Sequence, residues 1–219
     1  MTAVGITTAG APPASGTTSG PAHWAGLSGV AFAGLLAGAV FMTSGEPSTS
    51  NAGKLQSWAT KHTALLSAAS VVTLLAVAVG LYFMTWLYSR FGSVQSGWHG
   101  TMFLVGAITF AMVGSVAAGL NACMGADAKH LNAGSLQLLD SLQENFTFPM
   151  TCAGLAVMYL AAGLLIRRTG LLPRWMAWVS WGFAVLALSV ILGFVPLIGT
   201  VLWMIFSGVY LTTHQPAQG

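Results

Sequence analysis

Residues 62–87 read HTALLSAASVVTLLAVAVGLYFMTWL, a run with no Asp, Glu, Lys or Arg at any position. A helix that crosses a bilayer needs about 20 mainly apolar residues, and this stretch supplies them with a full turn to spare. Working outward from it, comparable windows fall at 24–43, 100–121, 146–166, 174–193 and 196–213. The last two share one apolar run, too long for a single span at about 1.5 Å per residue, and are expected to fold as a hairpin turned by Gly193, Pro196 and Gly199. Charged residues make up 5% of the chain and mean hydropathy is +0.77, whereas soluble domains carry about 25% charge. The expected fold is therefore all-α: a polytopic bundle of six transmembrane helices over residues 23–214, with a disordered tail over 1–22 and a short tail over 215–219.

Charge sorting gives the orientation. The gaps on one side hold Arg90, Arg167, Arg168 and Arg174 with no acid, while the other side holds Lys54, Lys61 and Lys129 beside Glu46, Asp127, Asp140 and Glu144. Short loops carrying only basic residues belong on the cytoplasmic side, which places both termini inside and the protein in the plasma (inner) membrane. Seven basic residues divided among loops form no contiguous phosphate-tracking face, so the net charge of +3 does not imply a nucleic-acid partner. The partner it implies is the bilayer itself. Arg167, Arg168, Arg174 and Trp175 form the densest basic patch and are expected to contact anionic lipid at the inner leaflet.

Residues 134–145 form an amphipathic segment on the outer side, with Leu136, Leu139, Leu142 and Phe146 at helical spacing and Asp140, Gln143 and Glu144 off that stripe. Pro149 then kinks or restarts the helix near the interface. Gly34 and Gly38 stand at a GxxxG spacing. Such faces bring helices together, either as a seam between two copies of the chain or as packing within one bundle, where contact between the first and third spans is the preferred arrangement.

Candidates for chemistry are sparse, because intramembrane charge is what pumps and proton relays require and these spans have none. Lys61 and His62 at the start of the second span, with Asp140, Glu144 and Asn145 before the fourth, form the one polar grouping fit for a lipid headgroup or small solute. Cys123 and Cys152 both fall in the outer half, as a disulfide or as two buried free thiols. His23, His99 and His214 lie at the inner helix ends without ligand spacing, so no metal and no cofactor is implied, and no catalytic residue is assigned. The role expected is that of a non-enzymatic accessory or scaffolding subunit acting through helix and lipid contacts. A transporter or lipid-binding bundle is the alternative, with Thr73, Thr109, Ser115, Asn121, Tyr159 and Ser180 as cavity lining, and a membrane enzyme with an outer-face site is the third reading.

The run Arg167-Arg168-Thr169-Gly170-Leu171-Leu172-Pro173-Arg174-Trp175 resembles the RTGxLPRW junction of uncharacterised multi-pass membrane proteins of actinobacterial type. Lys61-His62-Thr63 and Leu139-Asp140-Ser141-Leu142 fit the same resemblance, which implies the six-helix architecture and brings no activity with it.

Overall fold

The structure, a computed structural model, describes residues 20–47, 51–92, 97–189 and 194–214. Among these it is all-α, without strands: α1 Gly20–Thr43, α2 Ala52–Lys61, α3 Thr63–Gly92, α4 Gly97–Asp127, α5 Ala133–Leu142, α6 Phe148–Thr169, α7 Arg174–Leu188 and α8 Phe194–Thr213, with a π-helical turn at Gln143–Thr147 between α5 and α6. Most of the expected tail, the segment 215–219 and Gly193 lie outside the described residues.

Five helical stretches are long and apolar enough to cross a membrane: Trp24–Thr43, Thr63–Phe91, Gly97–Asp127, Ala133–Thr169 and Val195–Thr213. The fifth expected span is shorter than its window: α7 has 15 residues, about 22 Å at 1.5 Å per residue, and packs along α6 all the same. The hairpin turn also differs from expectation. Pro196 and Gly199 lie inside α8, where a proline in the first turn removes an N–H that had no intrahelical partner, and Gly199 gives Phe183 of α7 room to pack.

Six helices follow one another around the bundle in the order α8, α1, α3, α4, α6, α7, with a lighter contact between α7 and α8 closing it. Without a hydrophobic force between helices in lipid, close approach depends on small residues, and the glycines show where it happens. A Cβ at Gly106 of α4 would stand 2.6 Å from Met158 N and 2.9 Å from Gly154 O of α6, and one at Gly29 of α1 would stand 3.1 Å from Met204 O of α8. The expected contact between the first and third spans is limited to Phe32 of α1 against Phe110 of α4, ring centres 6.3 Å apart; α1 lies mainly against α3 and α8, and the small-residue face of α4 against α6. Gly34 and Gly38 have nothing within 4 Å of an added Cβ, so their face is not used within the bundle.

The core is apolar, and its buried hydroxyls are paired, while Asn121 Oδ1 of α4 is a buried acceptor without a donor among the described residues. Tyr159 donates to Thr200 Oγ1 at 2.8 Å, joining α6 to α8, and Trp203 Nε1 donates to Ser180 Oγ at 3.1 Å, joining α8 to α7. Thr200, Ser180 and Ser207 turn their own hydrogens to carbonyls one turn back, as do Thr73, Thr109 and Ser115. A void beside Gly80, lined by Phe32, Val77, Phe110, Ala111 and Met204, measures about 10 Å³, at the lower edge of what one water occupies.

Candidate functional site

The outer ends of the helices carry a small layer of their own, built from α2, α5 and the π turn. Asn51 caps α2 by accepting from Lys54 N at 3.1 Å, and Asn132 caps α5 by accepting from Ser135 N at 2.7 Å. Leu55 and Ala59 of α2 meet Leu136 of α5 and Met124 and Ala128 at the end of α4 in a separate apolar cluster, tied by Gln56 Nε2 donating to Leu131 O at 3.0 Å. Helix α2 was not expected; its sequence, AGKLQSWATK, is too polar to stand out beside the spans.

The π turn follows from Pro149. Proline has no N–H for the carbonyl four residues back and its ring crowds that carbonyl, here that of Asn145, and a wider turn relieves both problems at the point where α5 runs into α6. One extra residue in the turn also shifts the phase of everything before it. This alters the expected amphipathic stripe: Leu136 is buried, but Leu142 and Phe146 are exposed, and the buried partner of Leu136 on the next turn is Asp140, 4% exposed.

Asp140 therefore lies in a covered position with acids as its charged neighbours. Glu46, in the connection after α1, is pushed up to about 7 by burial, then by Asp140 and Glu144. Its Oε1 and that of Gln143 are buried acceptors without a donor among the described residues, as is Asn121 Oδ1. The cluster is thus Glu46, Asp140 and Glu144 with Gln143 beside them, acceptors that are best satisfied when one carboxyl carries a proton.

Of the expected grouping, Asp140 and Glu144 come together, and Glu46 joins them from a loop whose sequence, Gly45-Glu46-Pro47, shows no pattern that would have singled it out. Lys61 is exposed, and His62 lies against its own helix, its Nδ1 donating to Trp58 O at 2.9 Å and its ring stacked on Trp58. Asn145 is exposed and donates to Ser141 O at 3.0 Å. Cys123 and Cys152 are both free, the first exposed and the second buried. Among the described residues no three His, Cys, Asp or Glu side chains are grouped so as to hold a metal ion.

The opposite end holds the arginines. Arg168 of α6 donates from Nη1 to His99 Nδ1 of α4 at 3.2 Å, and His99 is 4% exposed. Arg167 turns the other way, its guanidinium 5.7 Å from the centre of the Trp181 ring on α7. Gly170, at φ 64°, ends α6 in the left-handed conformation, and Pro173 starts α7 without a side-chain cap. Arg174 and Trp175 stand exposed in its first turn. His214 stacks on Tyr210, and the side chain of His23 lies outside the described residues. Compared with protein-family models, curated proteins and solved structures, the chain has no match.

Proposed function

We propose that the protein is an accessory or scaffolding subunit of a bacterial plasma membrane, with both termini cytoplasmic, that works through helix and lipid contacts and turns over no substrate. The observation that carries this reading is the filled core. Among the described residues its hydroxyls bond to carbonyls or to each other, and the void beside Gly80 has room for about one water, which favours a packed bundle over one built around a solute chamber. In the outer polar grouping His62 is bonded to its own helix at Trp58 O and Lys61 is exposed, which gives no support to an outer-face catalytic site. The acid-free basic loops around Arg90 and Arg167–Arg174 support this orientation, in which the arginine end faces the cytoplasm.

Affinity purification of the full chain from native membranes in mild detergent, with mass spectrometry of co-purifying proteins and lipids, tests the proposal. A stoichiometric membrane partner is the expected result. Solute uptake by proteoliposomes holding the protein alone would overturn it. Orientation has a separate check: a cysteine at position 168 that reacts with an impermeant maleimide added outside intact cells reverses the topology.

A further inference from the structure

The arginine end is more organised than a basic loop needs to be. All four acids of the chain lie at the far end: Glu46 after α1, Asp127 at the end of α4, Asp140 and Glu144 around α5. Helix α4 alone separates His99 from Asp127 by roughly 40 Å at 1.5 Å per residue, so no carboxylate side chain reaches Arg167, Arg168 or Arg174. Their charge is left for something outside the bundle to neutralise.

What holds Arg168 is a neutral group. A guanidinium only donates, so Nδ1 of His99 accepts, and the imidazole is in the tautomer with its hydrogen on Nε2. The ring is fixed in turn by burial and by Trp98, whose ring centre lies 4.1 Å away. This bond uses one of the five N–H donors of Arg168 and adds no negative charge. It orients the remaining fork without quenching it. Arg167, drawn aside to Trp181 of α7, and Arg174 at the start of α7 add two more cations, and the first turn of α7, which has no side-chain cap and in which Met176 N is bonded to Pro173 O, adds the positive end of a helix dipole. Around this end Trp98 is 63% exposed and Trp178 66% exposed, and large exposed indoles belong at headgroup depth.

We propose that Arg168, Arg174 and the first turn of α7 form a binding site for the phosphate of an anionic phospholipid, with His99 as a positioning residue that aims Arg168. This rests on the reading of the chain as a lipid-contacting membrane bundle and gives the contact a place and a ligand class. Bidentate donation from a planar guanidinium suits a phosphodiester, and the flanking tryptophans put that phosphate at the level of the bilayer surface.

The test uses the full chain, delipidated in neutral detergent, with native mass spectrometry of lipid adducts formed from equal amounts of phosphatidylglycerol and phosphatidylcholine. A basic residue near an anionic surface contributes about 1 kcal/mol, so two aimed arginines favour phosphatidylglycerol by roughly 30-fold at 1.4 kcal/mol per decade. Arg168→Gln should reduce the preference by about fivefold or more. His99→Leu, which leaves net charge unchanged, should reduce it as far, and His99→Gln, which restores an acceptor, should recover it. A diffuse positive surface behaves otherwise: Arg90→Gln would then lower the preference as much as Arg168→Gln, His99→Leu would leave it unchanged, and the proposal would fall. Should His99→Leu fail to fold, as judged by gel filtration, the comparison of Arg168→Gln with Arg90→Gln decides alone. Displacement of phosphatidylglycerol by millimolar inorganic phosphate overturns the lipid assignment. Loss of the lipid preference leaves recovery of a protein partner from native membranes unaffected, so the two proposals fail separately.

Discussion

Replacing Gly106 by alanine probes the tightest backbone crossing for which the structure gives purely backbone neighbours. The new Cβ would meet Met158 N at 2.6 Å, Gly154 O at 2.9 Å and Met158 Cα at 2.9 Å. An ordinary contact begins at 3.4 Å, so α6 must retreat by about 0.8 Å, since none of these atoms belongs to a side chain that can rotate away. Inserting one carbon into a packed region costs about 1–3 kcal/mol. Alanine also gains about 1 kcal/mol over glycine within a helix, and this gain must be removed from the comparison. Gly34→Ala supplies the reference, because a Cβ there meets nothing within 4 Å and its change reports helix propensity alone. The expected result, from reversible unfolding in mixed micelles followed by tryptophan fluorescence, is that Gly106→Ala is less stable than Gly34→Ala by about 1–3 kcal/mol. Gly154→Ala opens the same crossing from the other side, with Phe110 N 3.0 Å from its Cβ. The double substitution should therefore cost less than the two singles combined, as neighbouring sites do. Equal stability of Gly106→Ala and Gly34→Ala, or strict additivity with Gly154→Ala, would refute the account of α4–α6 packing.

The outer acid cluster should make stability depend on pH. The folded value of Glu46 lies above its ordinary one, so the folded state binds more protons, and stability present in acid is lost as pH rises from 4.5 to about 7. Glu46→Gln should raise the unfolding midpoint at pH 8 and leave it unchanged at pH 4; a Glu46→Gln protein that is less stable at pH 8 contradicts this. Tyr159→Phe removes the α6–α8 hydrogen bond while Thr200 keeps its own carbonyl partner, and thermal unfolding should show a loss of about 0.6 kcal/mol, the average for hydrogen bonds between membrane helices, and no more than about 1.7 kcal/mol. Gly170→Ala, with open space around it but φ at 64°, should cost about 1–2 kcal/mol from conformation alone, read in the same assay, whereas Gly182→Ala in mid-helix should cost nothing. Maleimide should modify Cys123 in the folded protein and reach Cys152 only after unfolding; rapid labelling of Cys152 at native pH would show that α6 is not packed as described.

Why some of this was legible in the sequence and some was not comes down to the range of the forces involved. Composition averaged over a span is a local property, so the positions of α1, α3, α4, α6 and α8 could be read to within a few residues, and their ends differ mainly where helices continue past the hydrocarbon, as α4 does by six residues to Asp127. Helix α2 was missed because a ten-residue polar helix has no such average; its N-cap, Asn51, is visible only once a helix is suspected. Neighbour relations were harder still. Gly34 and Gly38 have the spacing associated with close packing, yet the crossings use Gly26, Gly29, Gly106 and Gly154, because which glycines meet depends on helix rotation, which spacing within one helix does not fix.

The charged residues show the same division. Their sorting between the two ends is written in the chain, but what each end does with its charge is not. All four basic residues at one end are arginines, and all three at the other are lysines. A lysine is a compact, strongly hydrated point charge, and Lys54, Lys61 and Lys129 stand exposed around a layer in which Asp140 is the buried acid. Arginine is a rigid fork that can be aimed, and His99 aims one. Aiming requires a partner that holds the guanidinium without neutralising it, and a buried neutral imidazole does so where a carboxylate would not. The sequence shows His99 as one more polar residue at a helix end; its role depends on Arg168 arriving from 69 positions away, a contact only the folded bundle makes.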